Sequence, residues 1–478
     1  MIPTPEAFVD ACRRGRRAAD RCGHRILVSW SVPLPSCGPR LFNDLLGAVE
    51  GQQRVFVWVS RWSGRSLLAC GSAVDFGSEG EHRIQNIDRL WGRCLRSELL
   101  GDQTSQPTGL TLVGGFAYGD GRRKPGGFPA GLMWVPTVQV SWSGPAAPVL
   151  TLNAIAEPGG DVVLQAWQQI KHTLRLLNNT ESIVHLTHAA DASPAFREVP
   201  TSQAWQRLVG RALNQIKSGT FSKVVLARQV IFSVRGALHV AVPLRRLIAR
   251  QLNSTVFGVG LRGQWFVGAS PECLIRIDGN QVYTHGLAGS APRGTDTLQD
   301  DQLAASLLAD TKNAQEHAVV AEFVEQVLRD VCVNVAVGTD ERVLKLPDIQ
   351  HLQTFVRGTL PSEEVPGLLA LAQRLHPTPA VCGFPRAPAQ QWLARHEPFD
   401  RGWYAGPVGW TEADGTGEMA VAIRSALLNS ASATAYAGCG IVSDSHEAEE
   451  YRESCLKLRP MLQALGVDTG QASLKGTL

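Results

Sequence analysis

The hydrophobic pattern is most regular in the part of the chain that follows residue 200. Apolar residues recur there at helical spacing, at positions 205, 208, 209, 212, 213 and 216. Thr201 or Ser202 can cap such a helix, and Gly219 lies just past its end. The run from Val224 to Ala227 then has the β-branched and apolar content of a strand that is buried on both faces. The pattern predicts a helix followed by a buried strand.

Turn chemistry predicts two β-hairpins farther along the chain. Asp278-Gly279 and Asp414-Gly415 each separate two strand-like segments, as the residues of tight hairpin turns do. The segment after the second turn, 419–428, reads as one continuous strand. We therefore expect antiparallel sheet in this part of the protein.

Longer helical patterns lie between and after these hairpins. They occupy residues 297–333 and 363–396, and a last helix is predicted over 446–465. The regular part of the chain therefore combines antiparallel strands with long helices.

The first 195 residues have a different composition. They are rich in Trp, Gly and Pro, with strand-like pieces at 54–62 and 110–119 and one helical pattern at 160–177. The segment 180–200 has the polar, Ala/Ser/Pro-rich character of a connector. The predicted division of the chain is a mostly β part over 1–195, a regular part over 200–465 and a loose tail over 466–478.

Composition narrows the class of protein and of partner. The 478 residues are 44% hydrophobic and 19% charged, and 46 basic against 43 acidic residues leave a net charge of +3. This balance is typical of a globular protein with a small-molecule partner and argues against a nucleic-acid groove. The ten cysteines include no C-x-x-C pair, which favours reduced thiols over disulfides or a zinc site. Since no apolar segment has the length of a membrane span or signal peptide, we expect a cytoplasmic protein.

Several polar residues stand where they could carry chemistry, although each has an ordinary structural explanation. Lys223 begins the buried strand, where it must reach water or stay inside with a lowered pKa. Glu272 follows a Ser-Pro turn, and the glycine-rich segment 286–294 could be no more than a flexible loop. Glu316 lies on a helix, and Glu450 and Glu453 share one face of the last helix. Taken one at a time, these residues do not identify a site.

Taken together and in order, the phrases around them resemble one family closely. In chain order the phrases are KVVLAR (223–228), GASPE (268–272), LAGSAPRG (287–294), EHAVV (316–320), LHPTPAVCGFP (375–385), EPFDRGWYAGPVGW (397–410), VAIRSAL (421–427), AGCGIV (437–442) and EEYRESCLKL (449–458). They resemble the chorismate-utilising enzymes, which include isochorismate synthase, salicylate synthase, anthranilate synthase component I and aminodeoxychorismate synthase component I. The resemblance implies an α+β fold of two layers, with large, mostly antiparallel sheets faced by helices, and a catalytic domain over 200–465.

The resemblance also implies an acid and a base. In the family's isochorismate and salicylate synthases, the lysine that matches Lys223 is the general base that activates water to attack C2 of chorismate. The glutamate that matches Glu272 is the general acid that protonates the C4 hydroxyl as it leaves. An apolar environment lowers the pKa of a lysine and raises that of a carboxyl group, so burial would prepare both residues for these roles.

Magnesium is the implied cofactor. By resemblance, Glu316 and Glu453 are direct ligands and Glu450 binds the ion through water. Mg²⁺ prefers oxygen donors and keeps several waters, so a few carboxylates suit it. The ion would hold the ring carboxylate of chorismate.

The remaining implied residues bind the substrate itself. They are Gly289, Ser290, His376, Tyr404, Arg424, Gly438 and Gly440. Arg424 and Tyr404, with the backbone amides of Gly438 and Gly440, would hold the enolpyruvyl carboxylate, because a guanidinium group matches a carboxylate in two places at once. The ring would lie against the segment that contains Ser290, and His376 would lie near the reacting face.

The same residues favour one reaction within the family. Members that add ammonia carry glutamine where this chain has Lys223, and aminodeoxychorismate synthases carry a lysine where it has Ala288. We therefore predict an isochorismate synthase that needs no glutaminase subunit. The length of the chain and its divergent N-terminal part favour supply of a quinone pathway, menaquinone or phylloquinone. The alternatives are a salicylate synthase, which also eliminates pyruvate, and a catalytically silent relative. Ser290 replaces the commoner threonine and Cys439 the usual alanine, which leaves substrate affinity and oxidation sensitivity open.

Overall fold

The computed structural model describes most of the chain. The described residues are 5–34, 40–49, 51–97, 99–100, 109–120, 127–144, 146–178, 196–233, 239–338, 342–363 and 365–467. Most of the predicted connector and nearly all of the predicted tail therefore lie outside the described residues, as does the boundary near residue 195.

The described residues of the N-terminal part form nine strands and four helices. The helices are α1 (Pro5–Cys22), α2 (Arg40–Ala48), α3 (Arg83–Ser97) and α4 (Val162–Asn178). The strands are β1 (Ile26–Pro33), β2 (Arg54–Val59), β3 (Arg65–Cys70), β4 (Val74–Ser78), β5 (Leu99–Leu100), β6 (Thr111–Phe116), β7 (Gly131–Val135), β8 (Val138–Ser143) and β9 (Val149–Ala156).

The prediction of a mostly β N-terminal part missed three of these helices. Helix α4 and strands β2 and β6 were expected from their patterns, whereas α1, α2 and α3 were not. Helix α1 illustrates the reason, because its exposed face is rich in arginine and hides a narrow apolar stripe. Phe8, Cys12 and Ala19 lie on that stripe at helical spacing and are fully buried.

The remaining elements follow residue 195. The helices are α5 (Ser202–Lys217), α6 (Ala241–Arg250), α7 (Thr297–Ala309), α8 (Thr311–Arg329), α9 (Leu368–Leu375), α10 (Arg386–His396) and α11 (Glu447–Ala464). The strands are β10 (Phe196–Val199), β11 (Lys223–Ser233), β12 (Thr255–Leu261), β13 (Gln264–Ser270), β14 (Cys273–Asp278), β15 (Gln281–Pro292), β16 (Asn334–Val337), β17 (Arg342–Lys345), β18 (Ile349–Thr359), β19 (Gly383–Phe384), β20 (Pro407–Glu412), β21 (Gly417–Val421), β22 (Ser425–Leu428) and β23 (Ser432–Ile441).

Several local predictions are confirmed here. Thr201 is the N-cap of α5, and its hydroxyl accepts a hydrogen bond from the amide of Ala204. Strand β11 begins at Lys223, as the apolar run indicated. Both hairpins form, since β14 pairs with β15 and β20 pairs with β21 in antiparallel register. Helix α11 is within one residue of its predicted bounds.

Two predicted long helices and one predicted strand are each interrupted in the structure. The pattern over 297–333 contains two helices, because Asp310 ends α7 and caps α8 by accepting from the amide of Asn313. The pattern over 363–396 also contains two helices, separated by the proline-rich segment 376–385. The segment 419–428 is interrupted at Arg424, whose φ of 51° ends the strand geometry. Strand β21 therefore belongs to one sheet and β22 to the other.

Two large sheets form the body of the fold. The first has the strand order β10-β11-β23-β22-β13-β12-β2-β3-β8-β9-β1-β5, with β19 also paired to β11. The second has the order β16-β18-β15-β14-β21-β20-β6-β7-β4, with β17 also paired to β18. Among the described strands only β1 and β5 pair in parallel. The predicted α+β class with large, mostly antiparallel sheets is confirmed.

Both parts of the chain contribute strands to both sheets. In the first sheet β2 pairs with β12, and in the second sheet β6 pairs with β20. The sheets also meet directly, because Ser60 beyond β2 donates a 2.7 Å hydrogen bond to Glu418 of β21. The N-terminal part therefore completes the two layers. No described helix combines the length and hydropathy that a membrane span requires.

Candidate active site

A cavity lies between the two sheets. One wall comes from β11 and β23 through Val225 and residues 437–440, and the other comes from β15 and β18 through residues 287–290 and His351. Its volume is about 60 Å³, and past Ser290 it adjoins a larger cavity of about 440 Å³ that reaches helices α8 and α11. Ten of the twelve residues predicted for the site line one or both of these cavities; Lys223 and His376 do not.

Lys223 lies at the start of β11, and its side chain is 1% exposed. Its Nζ is 3.0 Å from Oε1 of Glu316, which extends from helix α8. Gly440 on the adjacent strand makes this pairing possible, since a Cβ there would overlap the Glu316 carboxylate and lie 3.0 Å from Cε of Lys223. The ordinary structural explanation, in which Lys223 reaches solvent, is therefore wrong, because the lysine is buried and paired.

Glu272 lies in the turn between β13 and β14 and lines the 60 Å³ cavity. Its residue is 3% exposed, and Thr378 donates a 3.4 Å hydrogen bond to its Oε1. Burial raises the pKa of Glu272 to about 7, although the Thr378 hydrogen bond and the charges of Lys223 and Lys457 oppose the shift. This carboxyl group can therefore hold a proton at neutral pH.

Glu316 has the opposite charge preference in the same cavity. Burial would raise its pKa, but the charge and hydrogen bond of Lys223, together with the charges of Lys457 and Lys312, lower that pKa below its usual value. Two buried carboxyl groups are thus separated into one that holds a proton and one that remains an anion.

Arg424 presents a buried cation to the cavity. It is 4% exposed, and it holds a left-handed backbone conformation between two strands. One of its guanidinium nitrogens lies 2.8 Å from Nε2 of His351, and no described carboxylate forms an ion pair with it. Burial lowers the pKa of Arg424 to about 10, so the group remains charged at neutral pH. A buried cation that forms no ion pair with a described carboxylate favours binding of an anionic ligand.

Tyr404 and Gly438 lie beside this cation. The Tyr404 ring stacks on Tyr436 at 5.1 Å between centroids and an interplanar angle of 13°. A Cβ at Gly438 would lie 3.0 Å from the Tyr404 hydroxyl oxygen, so glycine gives that hydroxyl access to the cavity. The predicted residues for a carboxylate therefore come together.

Gly289 and Ser290 form a β-bulge on the opposite wall. The register between β15 and β18 shifts here, and Gly289 has a φ of 72°, which favours glycine. The amide of Ser290 donates to Oδ1 of Asn313 at 3.0 Å, and its hydroxyl lies 3.0 Å from Nδ1 of His351. The bulge aims this hydroxyl and the adjacent backbone at the cavity.

The acidic cluster borders the larger cavity. Glu316, Glu450 and Glu453 all line it, and burial together with the charge of Glu453 raises the pKa of Glu450. Each carboxylate also has a lysine partner: Lys223 for Glu316, Lys312 for Glu450 and Lys457 for Glu453. Within the described residues, no three His, Cys, Asp or Glu side chains form a ready-made metal site. The donor chemistry nevertheless fits Mg²⁺, because oxygen ligands of like charge border one cavity.

Two sequence expectations are changed by the geometry. His376 does not line either cavity; it is buried against Tyr118, whose carbonyl oxygen lies 3.2 Å from its Nε2. Thr378 of the same segment reaches Glu272 instead. Cys439 lines the cavity, but its thiol donates to the carbonyl of Glu450 at 3.3 Å, and burial raises its pKa well above the usual value. Such a thiol is protonated and poorly reactive.

Three residues of this site were not predicted from the sequence, namely His351, Thr378 and Lys457. Lys457 lies one turn after Glu453, so the helical spacing of EEYRESCLKL could have placed it on the same face. Thr378 stood unused in a phrase already quoted. His351 gave no local signal, because its contact with Ser290 depends on the pairing of two strands about 60 residues apart.

Comparison with known proteins adds a family to this geometry. A family model described as "Chorismate binding enzyme" matches residues 12–466. The chain is 31% identical to isochorismate synthase MenF of Bacillus subtilis, over 94% of this chain and 95% of that protein. It is 33% identical to the salicylate biosynthesis isochorismate synthase of Pseudomonas aeruginosa, over 93% of this chain and 91% of that protein.

Solved structures agree in fold. The structure of MenF, the menaquinone-specific isochorismate synthase from Escherichia coli, matches with a TM-score of 0.76 at 25% identity and covers 96% of this chain and 100% of that chain. Anthranilate synthase component I from Streptococcus pneumoniae matches with a TM-score of 0.66 at 21% identity, covering 83% of this chain and 92% of that chain, and shares the fold.

Proposed function

The chain belongs to the chorismate-binding enzyme family, and on that premise we propose that it is an isochorismate synthase, which converts chorismate to isochorismate. The observation that carries the proposal is the separation of charge states at the cavity. Glu272, with a pKa of about 7, can donate a proton, and a buried lysine lies beside an ionised carboxylate. Such a division between two buried groups suits concerted acid and base catalysis.

The reaction moves one hydroxyl group and two double bonds. Lys223, as the neutral amine, takes a proton from water while the water oxygen bonds to C2 of the ring. The ring double bonds shift, the C4–O bond breaks, and Glu272 gives its proton to the departing hydroxyl, which leaves as water. One proton enters Lys223 and one leaves Glu272, so atoms and charge balance.

Substrate binding uses the polar groups that the protein leaves unpaired. Arg424 and the Tyr404 hydroxyl hold the enolpyruvyl carboxylate, because the guanidinium has no carboxylate partner among the described side chains. The bulge at Gly289 and Ser290 supports the ring. His351 is kept neutral, since burial and then the charge of Arg424 lower its pKa well below the usual value.

Mg²⁺ is the proposed cofactor. Glu316 and Glu453 would hold it directly and Glu450 through water, as carboxylates that border the larger cavity. The bound ion would neutralise the ring carboxylate of chorismate and draw the charge of Glu316 away from Lys223.

The experiment that tests the function is product analysis. Purified protein is incubated with chorismate and Mg²⁺, without ammonia, and the products are separated by liquid chromatography while lactate dehydrogenase and NADH report pyruvate. We expect isochorismate with little pyruvate. Salicylate and pyruvate in equal amounts would show a salicylate synthase, and unchanged chorismate would show a silent relative.

We also propose that the product supplies menaquinone or phylloquinone synthesis. The support is the match along nearly the whole chain to a MenF protein, in contrast with 57% coverage for the isochorismate synthase DhbC. The salicylate-pathway relative matches about as far, so the test must read the end product. Deletion of the gene should deplete membrane quinones; loss of salicylate with normal quinones would reject this pathway.

A further inference from the structure

Lys223 borders a third cavity, which lies apart from the substrate cavity. This cavity has a volume of about 530 Å³ and is formed by the end of α5, the start of β11, helix α8 and the segments after β19 and β23. Its other lining residues include Ser222, Gln315, Val319, Phe384 and Ser443. Four of these five are exposed and Val319 is half-buried, so the cavity opens to solvent.

The Lys223 and Glu316 side chains separate the two cavities. Glu316 lines both of them, whereas Lys223 lines only the solvent-open one. Apart from the ion pair with Glu316, Nζ of Lys223 has no hydrogen-bond partner among the described residues, although it is buried. A buried ammonium or amine group with unused hydrogen-bonding capacity is costly unless water reaches it.

We propose that this solvent-open cavity is the entry route for the water that attacks the substrate. The inference rests on the proposed function and adds a second access route to it. Chorismate bound between Arg424 and Glu272 would occupy the 60 Å³ cavity. Water must still reach Lys223, and the solvent-open cavity leads to that residue from outside. The hydroxyl and amide groups of Ser222, Gln315 and Ser443 give its mouth a polar lining.

The route also keeps incoming and departing water apart. The attacking water meets Lys223 where the Lys223 and Glu316 side chains separate the cavities, whereas the hydroxyl that leaves C4 is protonated by Glu272 inside the substrate cavity. Glu272 does not line the solvent-open cavity, and Lys223 does not line the substrate cavity. The two catalytic groups therefore face different spaces.

The test is to obstruct the route without touching the substrate cavity. Val319→Trp on α8 and Ser443→Trp after β23 place bulk on two different walls of the route. Ala318→Trp is the matched control, because Ala318 is exposed on the same helix and does not line the cavity. Chorismate binding is measured by calorimetry and folding by thermal unfolding. Ser443→Ala removes the hydroxyl without adding bulk.

We expect each obstructing variant to lower kcat about tenfold while KM and the Kd for chorismate stay unchanged, as for loss of a step after binding. Ala318→Trp and Ser443→Ala should match the wild type. If an obstructing variant fails to fold, the one on the other wall decides. Equal turnover in the obstructed and control variants, or a rise in Kd that accounts for the loss, would overturn the inference. Absence of isochorismate from the wild type would instead overturn the proposed function.

Discussion

Glu272 and Glu316 are both buried carboxyl groups at the substrate cavity. The surroundings of each, here called the Glu272 wall and the Glu316 wall, favour opposite charge states. The Glu272 wall supplies a threonine hydroxyl and otherwise removes water, so burial dominates and the pKa rises to about 7. The Glu316 wall places an ammonium group 3.0 Å away, and its charge together with those of Lys457 and Lys312 lowers the pKa in spite of burial. The neighbouring charges decide whether a buried glutamate acts as an acid or as an anion.

Burial alone therefore does not assign a catalytic role to a carboxyl group. Glu418 is fully buried, and desolvation raises its pKa as well, but it hydrogen-bonds Ser60 between the sheets, away from the substrate cavity. Position at the cavity and the nature of the neighbouring charge separate the acid of the reaction from a buried structural glutamate.

Removing the charge on the Glu316 wall should have the largest effect. Lys223→Gln keeps a hydrogen-bond donor for Glu316 but cannot act as a base, so turnover should fall roughly 10²- to 10⁴-fold. Lys223→Ala should lose as much, although it also leaves Glu316 without its partner. Kinetics of isochorismate formation and calorimetric binding of chorismate provide the measurement. Lys217→Ala, an exposed change on α5, is the control. More than about a tenth of wild-type turnover in Lys223→Gln would remove the lysine from the mechanism.

Removing the anion on the same wall should affect the metal next. Glu316→Gln takes one charge from the proposed magnesium ligands, and the Mg²⁺ concentration for half-maximal activity should rise about tenfold or more. Direct Mn²⁺ binding, measured by calorimetry, should weaken in parallel. Glu322→Gln, an exposed change on the same helix, should bind the ion as the wild type does. Identical metal affinities for both variants would show that the acidic cluster is only a charged surface.

A smaller change should shift the pKa of Glu272 in a defined direction. Thr378→Val removes the hydrogen bond that lowers the pKa of Glu272, so that pKa should rise further. The acid is active when protonated, and the wild-type rate should therefore fall as pH rises through about 7. In the variant this fall should move to higher pH. A pH profile of kcat/KM measures the shift; an unmoved or lowered limb would contradict the role of the hydroxyl.

The smallest expected effect is on stability. The pKa of Glu272 rises from 4.5 to about 7 on folding, so the free energy of unfolding decreases as pH rises through that interval and stays lower above it. Glu272→Gln removes the dependence, so relative to wild type it should gain on the order of 1–3 kcal/mol between about pH 5 and pH 8. Chemical denaturation at both pH values measures this gain. A constant difference between variant and wild type would mean that Glu272 titrates as an ordinary carboxyl group.

Much of this site could be predicted from sequence, because its residues stand in phrases that few other proteins share. The phrases indicated Lys223, Glu272 and Arg424 together, although none of them was convincing alone. The pairings among them could not be predicted. Lys223 meets Glu316 because a side chain of α8 reaches the start of β11, and nothing in either phrase encodes a 3.0 Å contact between residues 93 positions apart.

The fold was predictable where one local signal dominated. Helix α5 and the hairpins have strong periodicity or turn residues, and they formed as expected. Arg424 shows the opposite case, since a non-glycine residue with a positive φ has no composition signal and interrupts what reads as one strand. Helix α1 was hidden by charge on its outer face. Tertiary packing decided these elements.

The most direct test of the account is the protonation of Glu272 in the folded protein. Infrared difference spectra between the wild type and Glu272→Gln, recorded across a pH series, isolate the carbonyl stretch of that one protonated carboxyl group. We expect a band that is present at acidic pH and disappears as the pH rises through about 7, where the buried carboxyl group of Glu272 ionises. Disappearance of the band near 4.5, the ordinary pKa of glutamate, would contradict the assignment of Glu272 as the acid.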